Sequence, residues 1–123
     1  MPWDLKPDRP IYTQLVEHIE WMILSGVYPP GAKLPSVRDL AREASVNPNT
    51  MQRALAQLEE DGLIITHRTS GRSITEDSEM IQKARIRIAR EQVSEFLEKM
   101  KKLGFDKKEI LSIITGMIEE VGK

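Results

Sequence analysis

Between Leu34 and Gly62 the chain reads LPSVRDLAREASVNPNTMQRALAQLEEDG, and this stretch restricts the possible folds more than any other. Ser36 is a good helix N-cap, and Asp39 three residues on is a weaker substitute for the Glu of a capping box, so a short helix is expected from Val37 to about Ala44. Leu40, Ala41 and Ala44 fall on its inner face. Ser45 and Val46 make a turn. Asn47 is the next cap, and Pro48 takes the first helical position, where its missing N–H costs nothing. The second helix runs to Gly62. Its apolar residues Met51, Ala54, Leu55 and Leu58 recur at steps of three and four, which turns Asn49, Thr50, Gln52, Arg53 and Ala56 outward.

Two short helices joined by a few residues, the second opening with small polar side chains, form a helix-turn-helix whose second helix can enter a major groove. The outward residue types suit that task. Asn49 and Gln52 can bond an adenine edge bidentately, Thr50 can bond a base or touch a thymine methyl, and Arg53 and Arg38 can reach guanine or phosphate. The helix N-terminus at Asn47 and Pro48 adds free N–H donors for a phosphate. Ser36 and Asn47 also serve as plain caps, and a helix pair of this kind also occurs as a packing unit. What separates the two readings is the segment that follows.

After Gly62, Leu63–Thr66 and Arg72–Thr75 are short β-branched runs around a polar tip, which is the pattern of a hairpin. His67, Arg68, Ser70, Gly71 and Arg72 form that tip, with a glycine free to take positive φ, as a wing lying along a minor groove or phosphate chain requires. Before the helix-turn-helix, Pro10 opens a longer helix. Tyr12, Leu15, Val16, Ile19, Met22 and Ile23 follow helical spacing and are expected to pack on the reading helix, with Gly26 ending the run. Trp3 is read as covering the domain edge, His18 as a solvated residue, and Trp21 as an exposed tryptophan off the stripe. Tyr28–Lys33, YPPGAK, reads as a turn.

The tail has its own logic. A helix from about Glu79 to Leu103 carries an apolar stripe of Ile81, Ala84, Ile88, Ala89, Val93, Phe96, Leu97, Met100 and Leu103. Gly104 stops it. Asp106 and Glu109 resemble a capping box for a last helix bearing Ile110, Leu111, Ile113, Ile114, Met117, Ile118 and Val121. Two helices cannot hide so broad an apolar surface from each other. A second copy is the most economical cover, with Ile88, Phe96, Met100, Ile110, Ile114, Met117 and Ile118 expected at a homodimer interface. Two reading helices about 34 Å apart would then grip successive major grooves of a palindromic operator in double-stranded DNA.

Composition excludes several functions. The 123 residues contain no cysteine, so disulfides and thiolate metal sites are absent, and two separated histidines make no metal cluster. No cofactor and no catalytic activity are expected. No apolar run approaches the ~20 residues that span a membrane, and MPWDLKPDRP lacks a signal-peptide pattern, so a cytoplasmic location is expected. Charge is less accommodating. Residues 1–76 carry 8 Lys or Arg against 10 Asp or Glu, and residues 77–123 carry 10 against 9, which gives −2 and +1 and sums to the overall −1. The basic balance usual in a nucleic-acid-binding domain is missing. Weak non-specific binding and a strong dependence on dimer formation follow.

Taken together, PIYTQ, PPGAKLPSVRDLA, VNPNT and EEDGLI make the segment from about residue 8 to 75 resemble the N-terminal winged-helix domain of the GntR family of bacterial transcription regulators; VNPNT and the short tail resemble its YtrA-type subfamily. The resemblance implies DNA contacts from Arg38, from the turn Asn47–Arg53 and from the wing near Gly71. The chain departs from the family pattern at Pro48 and Gln52, where arginine is frequent, and at Thr69, where a second wing glycine is usual. Those departures bear on which bases are read. The expectation is a mainly α chain with a small β-hairpin, having a winged helix-turn-helix DNA-binding domain at 1–76 and a two-helix dimerisation tail at 77–123. Its function would be that of a sequence-specific dimeric regulator, a repressor of a small operon, with transporter linkage implied by the subfamily. Only 47 residues follow Glu76, so any small-molecule effector would sit between tail helices or subunits. Two other classes fit part of the pattern: a multidrug-sensing winged helix that binds an apolar ligand at a dimer cleft, and a protein-interaction adaptor that has lost DNA binding.

Overall fold

In the computed structural model, which describes residues 3–122, five helices and one hairpin follow in the order α1 (Ile11–Leu24), α2 (Val37–Ala44), α3 (Pro48–Glu60), β1 (Ile64–His67), β2 (Gly71–Ile74), α4 (Ser78–Lys102) and α5 (Lys107–Val121). The architecture is a winged helix followed by a helical C-terminal region. The chain divides into two compact units, Met1–Lys83 and Ala84–Lys123.

The first unit is organised on α3, which packs against α1, α2 and β1. Its inner face buries Met51, Ala54, Leu55 and Leu58 completely or nearly so, as their spacing requires. Leu15 and Ile19 come to them from α1, Leu40 from α2, and Leu63, Ile64 and Ile74 from the hairpin region, all at most 1% exposed. At roughly 1.5–3 kcal/mol for each large apolar side chain taken out of water, this cluster is the main favourable term of the unit. The helix ends are set by local chemistry. Ser36 Oγ accepts the Asp39 N–H at 3.1 Å, and Asn47 Oδ1 accepts the Asn49 N–H at 2.8 Å with Pro48 at the first position. Between them Ser45 takes φ +56, the left-handed conformation that turns the chain sharply enough to set α3 across α2.

Two features of this unit lie outside the sequence expectations. The YPPGAK segment is more than a turn: its Ala32, with Leu34 just after it, pairs with β2 through Ile74 N–H to Ala32 O at 2.8 Å and Leu34 N–H to Arg72 O at 2.9 Å, with a bridge between Lys33 and Ser73. The wing is therefore tied to the chain just before α2. The second feature is the N-terminal arm, which is clamped by Gln14, a 5% exposed residue on α1. Its amide Nε2 donates to the carbonyls of Lys6 at 2.6 Å and Arg9 at 3.0 Å, while its Oε1 accepts the Lys6 N–H at 2.7 Å. Arg9 reaches Glu17 with two hydrogen bonds. Trp3 stacks on His18 with ring centres 4.0 Å apart. His18 is thus half-buried rather than solvated, its Nε2 has no partner, and burial lowers its pKa. Helix periodicity placed His18 outside the core stripe but carried no information about the arm that folds over it.

In the second unit α4 ends at Lys102 and the chain turns at Gly104, φ +95, with the Phe105 N–H returning to Met100 O at 3.2 Å. A complete capping box then starts α5. Asp106 Oδ1 accepts the Glu109 N–H at 2.9 Å and Glu109 Oε1 accepts the Asp106 N–H at 3.1 Å. Two residues expected at a dimer face need correction, because Ile88 and Ile110 are only 8% and 3% exposed and are already interior to the single chain. The remaining apolar side chains stand in solvent. Phe96 is 38%, Met117 59% and Ile118 64% exposed, Met100 and Ile114 are half-buried, and Val93, Leu111 and Val121 are also uncovered.

Candidate nucleic-acid interface

The proposed reading face is the side of α3 that its own unit leaves bare. Asn47, Pro48, Asn49, Gln52 and Arg53 are exposed, and Thr50 is half-buried beside Ile11. Because Met51 and Leu55 anchor the opposite side, these residues are held on a rigid helix instead of a loop, and their Cα positions are fixed before any ligand arrives. Asn47 keeps its side-chain amide NH2 free after its oxygen has accepted the Asn49 N–H. Ser36, engaged as a cap, likewise keeps its hydroxyl proton. Arg38 projects from the first turn of α2 and is exposed. Arg42 on the same helix lies 3.7 Å from Asp39, a loose surface pair.

Arg53 is not loose. Its guanidinium carbon lies 3.7 Å from the centre of the Tyr12 ring on α1. The spacing that assigned Tyr12 to the core stripe located it on the correct side of α1. It did not show that the residue packs on an arginine, since the contact joins helices about forty residues apart in sequence.

The hairpin pairs Ile64 with Ile74, Ile65 with Ser73, Thr66 with Arg72 and His67 with Gly71, leaving Arg68, Thr69 and Ser70 as the tip. His67 belongs to β1, not to the tip, and its Nε2 is 2.7 Å from Ser73 Oγ. Gly71 takes φ +86 with open space where a Cβ would point, so the backbone, not crowding, calls for glycine there. Arg68 is exposed. Arg72 is half-buried and its Nε has no hydrogen-bond partner, which leaves only the far end of its guanidinium for a ligand. The ladder to Ala32 and Leu34 holds the wing in register with the start of α2, so Arg38 and the wing are anchored to one backbone framework.

Among the described residues no helix is long and apolar enough to cross a membrane, and no group of three or more His, Cys, Asp or Glu is arranged to hold a metal ion. The face contains amides, a hydroxyl and guanidinium groups, all of them hydrogen-bonding groups suited to base edges and phosphates.

The sequence pattern of the bacterial regulatory proteins of the gntR family matches residues 11–74, from the start of α1 to the end of the wing. The chain belongs to the GntR family. It is 37% identical over 111 residues to the uncharacterized HTH-type transcriptional regulator YhcF of Bacillus subtilis, covering 90% of this chain and 92% of that protein. It is 41% identical over 75 residues to the HTH-type transcriptional repressor YtrA of the same organism, a match that spans 61% of this chain and 58% of YtrA. Among solved structures, a GntR family transcriptional regulator from Listeria monocytogenes superposes with a TM-score of 0.83 at 40% identity, covering 91% of this chain and 98% of that one. The likeness to YhcF and to the Listeria regulator extends into the helical tail, whereas the family pattern itself ends at the wing. The chain is accordingly a DNA-binding transcription regulator of the GntR family.

Proposed function

We propose that this regulator acts as a homodimer that reads a palindromic operator and represses a small operon. The observation that carries the DNA-reading part is the bare, rigid polar face of α3, with Asn49, Thr50, Gln52 and Arg53 on it and the wing of Arg68, Gly71 and Arg72 tied to the same unit. Gln52 and Asn49 read base edges, Arg38 and the wing arginines hold phosphates, and Ser36, Asn47 and Pro48 set the helix ends that aim them. The first unit supplies recognition and the second supplies dimerisation. The solvent-facing apolar residues Phe96, Met117 and Ile118, flanked by Met100 and Ile114, support that division, since a surface of this kind is normally covered. Repression is the role named for the relative YtrA, and a cytoplasmic, non-enzymatic protein fits the regulators that the chain resembles.

The test is selection of bound duplexes from a random-sequence pool by the purified protein. The expected product is a site with two inverted half-sites whose centres are about 10 base pairs, or a multiple of that, apart. A selected site with a single half would remove the dimer from the reading. A pool that shows no enrichment would remove DNA recognition.

A further inference from the structure

The Tyr12–Arg53 contact explains how a flexible cation becomes a reading group, and the inference drawn from it rests on the DNA-reading face proposed above. With its guanidinium carbon 3.7 Å from the ring centre, Arg53 sits over the face of Tyr12, at the separation of a guanidinium stacked on an aromatic ring. A guanidinium lying flat gives its face to the aromatic ring and keeps its N–H donors, which lie in its plane, available to another group. Among the described residues no carboxylate pairs with Arg53, so those donors are not already committed to an acid. Tyr12 and Arg53 line an open cleft together with Thr50 and with Asn49, a side chain assigned to base edges. Tyr12 itself is half-buried where α1 packs on α3, so the ring is fixed by the fold while the arginine it carries is exposed.

We infer that Tyr12 is a specificity-determining positioning residue: it holds the Arg53 guanidinium flat against α1 with its donor edge presented to one base pair, beside Asn49 and Thr50. Arginine loses much rotamer freedom when it is immobilised at an interface. Here the ring imposes that order before DNA arrives. The stack selects the orientation in which the planar fork meets a guanine edge, so its removal weakens binding and also loosens the choice of base.

The experiment is a double-mutant cycle of Tyr12→Leu and Arg53→Ala, read on duplexes selected by the wild-type protein from the random-sequence pool, with the full base-preference profile measured for each variant. An exposed cation–aromatic contact corresponds to about a 2- to 5-fold change in affinity. Tyr12→Leu is expected to lose that factor and to broaden preference at the same base pair that Arg53→Ala broadens, to cost nothing further when Arg53 is already alanine, and to be rescued by Tyr12→Phe, which keeps the ring. An equal loss from Tyr12→Leu in both backgrounds would assign the ring a merely structural role and overturn the inference, as would a loss of affinity with an unchanged base profile. Tighter binding by Tyr12→Leu would overturn it too, since the ring would then be holding the arginine away. Failure of the wild-type protein to enrich any sequence would show before a variant is made, and would remove the DNA-reading face together with this inference.

Discussion

Replacing Met117 and Ile118 on α5 by lysine tests the proposed dimer at two largely exposed apolar side chains. Both side chains stand mostly in solvent, 59% and 64% exposed, so charging them leaves the interior of the single chain untouched, which would not hold for the 3% exposed Ile110. Full burial of a side chain of this size is worth roughly 1.5–3 kcal/mol. A little over half of each remains to be buried, which leaves about 1–2 kcal/mol apiece, and twofold symmetry doubles the pair to four side chains. The double substitution therefore removes about 4–7 kcal/mol of association free energy, before any cost of placing four ammonium groups in an apolar contact. At about 1.4 kcal/mol per decade this weakens the dimer by roughly three to five orders of magnitude. The area term is an upper value, because docking also orders side chains, yet even its lower end moves a nanomolar dimer to micromolar dissociation.

Sedimentation velocity at micromolar protein reads the outcome directly. The expected result is a folded, helical monomer with the melting transition of its winged unit preserved, since Leu15, Ile19, Leu40, Leu55 and Leu58 make that core without any residue of α5. Its affinity for a two-half-site duplex falls steeply, while weak binding to a single half-site persists. A dimer that survives both lysines would refute the assignment of α5 to the interface and would direct attention to Trp21, which is 53% exposed on α1.

Three further outcomes are expected. Alanine at Gln52 or Asn49 should cost about 1–3 kcal/mol on the selected duplex and almost nothing on random DNA, whereas Arg38→Ala should weaken both and lower the salt slope by about 1 per subunit; equal effects of Gln52→Ala on both DNAs would mean that the residue reads no base. Gly71→Val should impair binding while the melting temperature changes little, because a β-branched residue resists φ +86 at the first residue of β2, where no neighbour is crowded; unchanged affinity would show that the wing stays clear of DNA. His18 has a depressed pKa in the folded protein, so its contribution to stability is fully present above the ordinary histidine value of about 6.5 and is lost as pH falls through the folded value; the Trp3→Ala variant should raise the His18 pKa in an NMR titration, and an unmoved value would exclude the indole as the source of the burial.

What the sequence disclosed was governed by range. The Ser36 and Asn47 caps, the Pro48 start and the Asp106–Glu109 box each join residues two or three apart, and the observed hydrogen bonds follow the local chemistry that predicts them. The inward residues of α3 follow from its period. Contacts between distant segments left little trace in the pattern. The pairing of Ala32 and Leu34 with β2 is hidden within a proline-rich stretch that reads as a turn, and His67 reads as a tip residue because its bond to Ser73 depends on hairpin register. The same limit applies to the candidate site. Periodicity indicates which side chains leave the core, but not that Arg53 lies on Tyr12, that Arg72 is half-covered, or that Gln14 clamps the arm.

The acidic balance of the winged unit looks unfavourable for DNA binding until the charges are placed along α3. Glu59, Glu60 and Asp61 crowd the C-terminal end of that helix, where the macrodipole is already negative and no basic residue stands in the last turn. Like charge at a negative helix end costs stability, and the Asp61 carboxylate accepts a surface bond from Gln57 Nε2 at 3.1 Å. At the opposite end the dipole is positive, the first turn holds no acid, and Arg53 and Arg38 are exposed nearby in the helix-turn-helix. In the proposed docking the N-terminal end of α3 faces the phosphates, so the acids at the far end are repelled outward while the arginines are drawn in. A molecule with little net charge but this polarity gains orientation in the field of DNA without gaining much non-specific affinity. In the proposed dimer, discrimination would then depend on base contacts and on the joining of two weak half-sites, which would make the apolar tail as much a part of operator recognition as the reading helix.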